Sequence, residues 1–171
     1  MLERFLKKTK FESFDDFMEN YEVCVPGNFN FAYDVVDAWA KRDADKRAML
    51  WTNEEGKERT FTFGEMKLWS DRTAAYLQSL GIRRGDVVML ILKRRYEWWW
   101  TMLALHKLGA VVVPATHLLR AHDIEYRCNA AGIKAIVACG DEDIIQNVEA
   151  ARPYSPSLKH CISIGPNVPY G

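Results

Sequence analysis

The strongest candidates for chemistry in this sequence are three consecutive cations, Lys93, Arg94 and Arg95, directly after the apolar run 87–92. Cations at the start of a helix can hold a phosphate group. No glycine lies among them, however, to let the backbone approach a phosphate closely. Two interpretations therefore stay open, a phosphate site and solvated charges at a helix entrance, and the pattern favours the second.

The familiar phosphate-binding motifs are absent. No GxGxxG follows a predicted strand, and GxxxxGK[ST] does not occur, so the sequence has neither a dinucleotide fingerprint nor an ordinary phosphate loop. Residues 140–143 read Gly-Asp-Glu-Asp before a predicted helix. Three acids there would repel phosphate but complement the positive end of the helix dipole, so we predict that they cap the helix.

A metal site is not predicted. His117 and His122 are five residues apart, but no third ligand of suitable spacing accompanies them, so we interpret both as loop histidines. The cysteines are widely spaced and form no CxxC pair, which predicts reduced, mostly buried thiols. They are Cys24, Cys128, Cys139 and Cys161. No nucleophile is paired with a base along the sequence, so no catalytic residue is predicted.

Charge and hydropathy exclude some classes of protein. The 171 residues contain 23 Lys and Arg and 23 Asp and Glu, and a net charge of zero argues against a general nucleic-acid binder. The basic start has no apolar run behind it, as a signal sequence would. Residues 98–105 are the most apolar stretch and are far shorter than the ~20 residues of a membrane helix. We therefore expect a cytoplasmic protein bound to neither nucleic acid nor membrane.

The second half of the chain alternates buried-strand patterns with helical patterns. Aliphatic runs at 87–92, 110–113, 135–138 and 160–164 predict strands, and the segments 96–107, 123–131 and 143–151 between them predict helices. This alternation predicts an α/β fold whose parallel sheet carries helices on both faces. Trp98, Trp99 and Trp100 point around one helix, so at least one should be buried against the sheet and another partly exposed. Such sheets bind ligands at the carboxyl ends of their strands.

The first half of the sequence predicts helices and a hairpin that precede that platform. We divide the chain into an N-terminal arm (1–27), a helix-hairpin-helix lead-in (28–80) and a βα-repeat platform (81–171). Ser13 should cap a helix in the arm, and Thr62 with Glu65 should form a capping box. Residues 30–41 predict a helix with an apolar stripe, and 48–51 and 60–63 predict an antiparallel hairpin. The helix after the capping box should end at Gly81. Its predicted inward stripe is Met66, Trp69, Thr73, Tyr76, Leu77 and Leu80.

A series of short motifs, weak singly but specific in their order and spacing, carries a family resemblance. They are Asn28-Phe29-Asn30-Phe31-Ala32, Leu50-Trp51, Thr60-Phe61-Thr62-Phe63-Gly64-Glu65, Gly81-x-x-x-Gly85-Asp86-x-Val88, Lys93-Arg94-Arg95-x-Glu97-Trp98-Trp99, Leu105-His106-Lys107-Leu108-Gly109-Ala110, Pro114-Ala115-Thr116 and Asp123-Ile124-x-Tyr126-Arg127. Over nearly its whole length the chain resembles the N-terminal region of the AMP-forming acyl-CoA synthetases. Within that adenylate-forming superfamily it is most similar to the acetyl-CoA and medium-chain acyl-CoA synthetase branch.

The resemblance implies an acid–thiol ligase with ATP, Mg²⁺ and CoA as cofactors. Family members join a carboxylic acid to ATP, release pyrophosphate, and pass the acyl group to CoA. Their phosphate loop, adenine motif and C-terminal lysine have no counterpart up to Gly171. The resemblance therefore implies a truncated N-terminal part of the AMP-binding domain, inactive alone. In the family, the loop after the second strand borders the pantetheine tunnel, which implies that Thr116, His117 and Leu118 form a CoA tunnel wall.

Two departures from the family pattern stand out. Tyr96 occupies a position where relatives commonly have proline, and the acids at 141–143 occupy a region where some acetyl-CoA synthetases use arginine for the CoA phosphate. Two alternative functions stay open: a free-standing, non-catalytic binding or regulatory module, and a fragment of an aryl-CoA ligase. An exposed sheet edge also predicts self-association.

Overall fold

The computed structural model describes residues 2–165, and its first half forms helices and one hairpin. The elements of this half are α1 (Phe14–Asn20), a π-helical segment (Ala32–Asp37) that continues as α2 (Ala38–Arg42), β1 (Arg47–Thr52), β2 (Glu58–Thr62) and α3 (Phe63–Ser79). β1 and β2 pair antiparallel, as predicted. The arm before the π-helical segment is held by an ion pair of 3.1 Å between Arg4 and Asp34 and by edge-to-face packing of Phe5 on Phe29.

The second half is the βα platform. Its elements are β3 (Val87–Ile91), α4 (Glu97–Leu108), β4 (Val111–Pro114), α5 (Ala121–Ala131), β5 (Ile133–Cys139), α6 (Glu142–Ala151) and β6 (His160–Ile164). The four strands are parallel in the order β4-β3-β5-β6, so the predicted α/β class is confirmed. The crossover through α4 leads away from β5, whereas those through α5 and α6 lead back across the sheet. Because crossovers are right-handed, α4 covers one face and α5 and α6 cover the other.

Helix ends follow the predicted punctuation. The Ser13 hydroxyl accepts a hydrogen bond of 3.0 Å from the Asp16 N–H. Thr62 and Glu65 form the reciprocal capping box of α3, with bonds of 3.2 and 2.9 Å. Gly81 follows α3 with a φ of +82°, which a residue with a Cβ adopts only at a cost. These local predictions are confirmed because they depend only on neighbours in sequence.

Two hydrophobic cores lie on either side of α4. The main core packs the sheet between helices, and Val88, Met89 and Leu90 in β3 are fully buried there. A second core lies under the hairpin and contains Phe61 and Trp100. Burying a side chain of the size of Phe61 stabilises the fold by roughly 1.5–3 kcal/mol. The hairpin is therefore fixed to the platform by its own apolar face.

The three tryptophans of α4 divide between these cores. Trp100 is buried, but under the hairpin rather than against the sheet, which corrects the predicted location. Trp98 packs half-buried on the main core. Trp99 is 47% exposed, as the all-round spacing predicts.

We call the end of the sheet where the strands begin the amino edge. There the Gly85 N–H donates to the Gly109 carbonyl at 3.0 Å, joining the turns that lead into β3 and β4. The Asp86 carboxylate accepts from the Arg83 N–H at 2.7 Å and from Lys134 Nζ at 2.7 Å. Lys134 is the second residue of β5, so one carboxylate joins two strands and a turn.

A nearly buried ammonium group joins three helical segments close to that edge. Lys107, in the last turn of α4, has a side chain only 2% exposed. Its Nζ lies 2.9 Å from Asp37 at the end of the π-helical segment and 2.6 Å from Asp71 in α3. Asp71 also pairs with Lys67 at 2.5 Å. We call this group the Lys107 clamp.

Several sequence predictions need correction. The predicted helix at 30–41 is π-helical over 32–37, and Phe31 in its stripe is 44% exposed. In α3, Tyr76 is 46% exposed, whereas Ser70 is fully buried because α3 packs on α4 along that line. Val111 in β4 is 48% exposed, since β4 is an edge strand within residues 2–165. No helix of the described part has the length and hydropathy of a membrane span.

Candidate ligand-binding cleft

The basic turn after β3 is held by a carboxylate that follows β5. Lys93 has a φ of +49° and pairs with Asp141, whose other oxygen lies 3.9 Å from Arg95. Hydrogen bonding to Asp141 raises the pKa of Lys93 above its ordinary value. Arg94 is the most exposed of the three, with a side chain 90% exposed against 37% for Lys93 and 32% for Arg95. The interpretation as solvated charges is therefore incomplete, because Lys93 and Arg95 are also paired with Asp141.

Asp141 differs from its predicted role as a helix cap. It occupies the N-cap position of α6, yet its side chain makes no capping hydrogen bond. Its carboxylate faces Lys93 and Arg95 instead, because β3 and β5 are adjacent and end at the same edge. Glu142 and Asp143 lie in the first turn of α6, where acids complement the positive end of the helix dipole as predicted.

These ion pairs close the point where the strand order reverses. β3 and β5 are neighbours whose crossovers leave in opposite directions, and such a switch point is the usual ligand crevice of an open α/β sheet. Here Lys93, Arg95 and Asp141 span it. Burial raises the pKa of the adjacent Cys139 thiol, with Arg95 opposing, so this cysteine is no ready nucleophile at neutral pH.

The open space lies one strand further out. A cleft of about 980 Å³ is bounded by the hairpin tip (51–55), the basic turn (92–95), Trp98 and the loop after β4 (115–117). Trp51 Nε1 donates to the Arg94 carbonyl at 2.7 Å, which fixes the hairpin tip against the turn. Glu54 lies 3.7 Å from Arg94 across the mouth. We call this space the hairpin cleft.

Two of the three predicted site residues line the hairpin cleft. Thr116 and His117 are in its wall, and the Ala115 N–H before them donates to the Leu90 carbonyl at 2.9 Å. Leu118 does not line the cleft and is 72% exposed, although its N–H donates to Thr116 Oγ1 at 3.3 Å. The assignment of these residues to a CoA tunnel wall stays a prediction.

The hairpin tip was missed by sequence reasoning. Residues 52–55 form one wall of the cleft, but they look in sequence like an ordinary turn. Only the tertiary contact of Trp51 with Arg94 brings them to the site, and no local pattern encodes that contact. Among residues 2–165 there is no cluster of three or more His, Cys, Asp or Glu that could hold a metal ion.

Comparison with known proteins assigns the chain to a family. Residues 36–169, which make up most of the chain, match the family model described as "AMP-binding enzyme". The chain belongs to the AMP-binding enzyme family. The match includes the hairpin, the βα platform and every residue of the hairpin cleft.

Members of the AMP-binding enzyme family with similar sequences are named acyl-coenzyme A synthetases. The human mitochondrial acyl-coenzyme A synthetase ACSM2A is 40% identical over 141 residues, covering 79% of this chain and 24% of that protein. The mouse mitochondrial acyl-coenzyme A synthetase ACSM4 is 37% identical over 161 residues, covering 90% and 27%. The chain thus spans about a quarter of the length of these relatives, and it corresponds to an N-terminal region of an AMP-forming acyl-CoA synthetase.

Solved structures support the same fold. The anthranilate CoA ligase AuaEII, crystallised with anthranoyl-AMP, superposes with a TM-score of 0.72 at 26% identity, covering 82% of this chain and 26% of that chain. A fatty acyl CoA synthetase of Mycobacterium tuberculosis gives 0.70 at 22% identity, covering 79% and 26%.

Proposed function

We propose that this chain forms part of an AMP-forming acyl-CoA synthetase. Such an enzyme activates a carboxylic acid with ATP and Mg²⁺, releases pyrophosphate, and transfers the acyl group from the adenylate to the thiol of CoA. The observation that carries the proposal is the hairpin cleft, an open space of about 980 Å³ at the carboxyl ends of β3 and β4 inside the family match.

The chemistry of the cleft fits the uncharged part of CoA better than its phosphates. Asp141 offsets one of the two positive charges of Lys93 and Arg95, and the exposed cation Arg94 is opposed by Glu54 at 3.7 Å. Pantetheine carries two amides and no charge. Thr116 Oγ1 accepts from the Leu118 N–H and keeps its own proton to donate to an amide carbonyl. We therefore keep Thr116, His117 and Leu118 as the proposed wall of the CoA tunnel.

ATP and Mg²⁺ fit this region poorly. Residues 2–165 contain no cluster of carboxylates and histidines suited to a metal, and the acids at 141–143 repel phosphate. We propose that ATP binds mainly through residues outside this range and that the 171-residue chain alone is inactive. Calorimetry of the chain with ATP should show no saturable binding, and micromolar binding would contradict this assignment.

The two half-reactions separate the CoA wall from the rest of the enzyme. In protein expressed from the complete reading frame that contains this chain, Thr116→Trp should obstruct the cleft. Pyrophosphate exchange driven by acid and ATP should stay within about twofold of the parent, whereas CoA-dependent thioester formation should fall at least about tenfold, as expected for a blocked approach of the thiol.

A matched control keeps this test specific. His122→Trp introduces the same side chain six residues along, at a position whose side chain is 81% exposed, and should change neither half-reaction. If Thr116→Trp lowered both half-reactions equally, or neither, the CoA wall would be misplaced. If the complete protein released no pyrophosphate with any acid, the alternative of a non-catalytic binding or regulatory module would stand instead.

The class of acid that is activated distinguishes the two enzymatic functions, an acyl-CoA synthetase and an aryl-CoA ligase. An anthranilate CoA ligase is among the similar structures, which favours testing aryl acids beside aliphatic ones. Pyrophosphate release measured across acids of graded chain length, with benzoate and anthranilate in the same series, should give higher kcat/KM for aliphatic acids. A preference for aryl acids would make the protein an aryl-CoA ligase.

Cellular location and association are also proposals. We propose a cytoplasmic protein with no nucleic-acid or membrane partner, whereas the similar synthetases are named as mitochondrial. Subcellular fractionation decides between the two compartments. We further propose that the chain alone self-associates through exposed apolar surface, and a strictly monomeric species in light scattering at high concentration would contradict this.

A further inference from the structure

Two opposite walls of the hairpin cleft are tied to one short stretch of main chain, residues 90–94. On one side, the Ala115 N–H donates to the Leu90 carbonyl at 2.9 Å, at the start of the loop that follows β4. On the other side, Trp51 Nε1 donates to the Arg94 carbonyl at 2.7 Å. The spacing of the walls thus depends on two hydrogen bonds to the same segment.

The hairpin tip is a turn with hydrogen bonds of its own. Asn53 Oδ1 accepts from the Glu55 N–H at 3.1 Å and from the Lys57 N–H at 2.8 Å. These bonds fix the shape of the tip but not its place against the basic turn. The ion pair of Glu54 with Arg94 adds little, because both side chains are at least 90% exposed. The place of the tip is therefore set at its base.

One aromatic ring contacts both strands of the hairpin at the base of the tip. Tyr96 follows the basic turn, and its ring lies 5.1 Å from the Trp51 ring in an edge-to-face arrangement. The guanidinium of Arg59, the partner of Trp51 in β2, lies 5.1 Å from the same Tyr96 ring. Tyr96 also packs on Phe61 at 5.1 Å and on Trp100 at 5.3 Å in the second core. The Tyr96 ring thus joins the base of the tip to the start of α4.

From these contacts we infer that Trp51 and Tyr96 are positioning residues for CoA, because they hold the hairpin tip where it can contact the pantetheine arm. The inference rests on the proposed function, which assigns the hairpin cleft to CoA. Trp51 lines the cleft and Tyr96 does not, so Tyr96 acts through the hairpin. Loss of either ring contact should loosen one wall without touching the residues that bind ATP or the acid. The expected signature is a higher KM for CoA beside an unchanged acid-dependent half-reaction.

The test uses protein expressed from the complete reading frame that contains this chain, with CoA and pantetheine as probes. Trp51→Phe keeps a ring but loses the N–H donor. The KM for CoA, and its Kd by calorimetry, should therefore rise about two- to tenfold, the range of one hydrogen bond. Pyrophosphate exchange driven by acid and ATP should stay within about twofold of the parent. Pantetheine should show the same rise as CoA, because it carries the arm without the nucleotide.

Two further variants separate the ring of Tyr96 from its hydroxyl. Tyr96→Leu removes the contacts with Trp51 and Arg59 and should raise the KM and the Kd for CoA at least as much as Trp51→Phe. Tyr96→Phe keeps the ring and should match the parent. If Trp51→Phe does not fold, Tyr96→Leu with Tyr96→Phe carries the same test.

A matched control comes from another tryptophan of the second core. Trp69 stacks on Trp100 at 5.7 Å and does not line the cleft. Trp69→Phe makes the same substitution as Trp51→Phe and should change neither the KM nor the Kd for CoA. An equal rise in Trp69→Phe would overturn the inference, because general loosening of the second core would then be responsible.

The remaining outcomes separate this inference from the proposed function. If CoA affinity fell in Trp51→Phe but the complete protein released no pyrophosphate with any acid, the proposed reaction would fail and the inference would stand. If Trp51→Phe and Tyr96→Leu bound CoA and formed thioester like the parent, the inference would fail and the proposed function would stand. A rise seen with CoA but not with pantetheine would place the tip against the nucleotide and overturn the inference.

Discussion

The two edges of the parallel sheet carry ion pairs that look alike but differ in their anchoring. At the amino edge, the side chains of Lys134 and Asp86 are 30% and 25% exposed. At the opposite end of the strands, which we call the carboxyl edge, those of Lys93 and Asp141 are 37% and 32% exposed. The amino-edge pair is also bonded to backbone, since Asp86 accepts from the Arg83 N–H. The carboxylate of Asp141 meets only the side chains of cations.

The amino-edge pair stabilises the fold, whereas the carboxyl-edge pair controls the charge that faces the hairpin cleft. A pair bonded to backbone groups holds turns in place, so its removal leaves backbone polar groups of those turns without partners. A pair between side chains alone can be broken without disturbing the fold, and it sets how much positive charge faces the hairpin cleft. Four substitutions, ordered by the size of the expected effect, test this contrast.

The Lys107 clamp, at the end of the helix that leads into the amino edge, should give the largest loss. Lys107→Met leaves Asp37 without its cation and should lower the free energy of unfolding by about 2–3 kcal/mol, less than for a fully buried pair because Asp71 is 42% exposed. Urea denaturation measures this change in the free energy of unfolding. Lys67→Met removes a more exposed cation from the same Asp71 and should cost less than about 1 kcal/mol. Equal losses would show that burial of Lys107 is not decisive.

Removing the amino-edge carboxylate should give the next largest effect. Asp86→Asn weakens the bonds to Lys134 and to the Arg83 N–H and should cost about 1–2 kcal/mol. Partial burial raises the pKa of Asp86, but hydrogen bonding to Lys134 and Arg83 more than offsets this, so the pKa is lowered overall.

The sign of that pKa shift fixes a pH dependence. Because the folded pKa of Asp86 is lower than the unfolded value of about 3.9, its stabilisation is complete above that value and is lost as the pH falls through the folded pKa. Unfolding measured between pH 2 and 6 should therefore show a smaller acid loss in Asp86→Asn than in the parent. An identical acid profile would contradict the role of this carboxylate.

A backbone comparison should give an effect no larger than that of Asp86→Asn. Gly109 has a φ of +68°, and a Cβ there would lie 3.1 Å from Arg84 Cγ, so Gly109→Ala should cost about 1–2 kcal/mol in thermal unfolding. Gly56 at the hairpin tip has a φ of +76° with open space around it. Gly56→Ala carries the same backbone strain without the contact and should cost less. The reverse order would mean that Arg84 moves freely.

The carboxyl-edge pair should affect stability least. Asp141→Asn should change the free energy of unfolding by no more than about 1 kcal/mol, as for other partly exposed pairs. It removes the carboxylate that faces Lys93 and Arg95, so inorganic pyrophosphate, which the parent should bind only weakly, should bind on the order of threefold more tightly, as read by calorimetry. Glu142→Gln removes the same charge without breaking these pairs. If it strengthened binding equally, net charge rather than the ion pair would be responsible.

The sequence was sufficient wherever the structure is local or periodic. The capping box at Thr62 and Glu65, the left-handed Gly81 and the buried strand β3 all follow from patterns within a few residues. The order of those motifs also identified the family, because several of them form the amino edge and its turns. Such residues are fixed by backbone geometry and so leave a readable pattern.

The sequence was insufficient wherever distant segments meet. The pairing of Lys93 with Asp141 depends on β5 lying beside β3, and the hairpin cleft depends on Trp51 reaching the Arg94 carbonyl. The π-helical turn at 32–37 was also not predicted, because such turns are rare and the apolar spacing of 30–41 fits an ordinary α-helix. Thr116 and His117 were singled out only through a family resemblance, while residues 52–55 of the opposite wall carried no functional signal.

The strand order also bears on how the chain is made. β3 gains one neighbour early, since β4 follows it after a single helix, but its other neighbour is β5, where Val88 pairs with Ala135. During synthesis, the central strand therefore waits with one side unpaired until α4, β4, α5 and most of β5 have left the ribosome. An unpaired strand of Val, Met, Leu and Ile is prone to aggregation. The hairpin and its core, already complete by then, cover part of the nascent helix α4 during that interval.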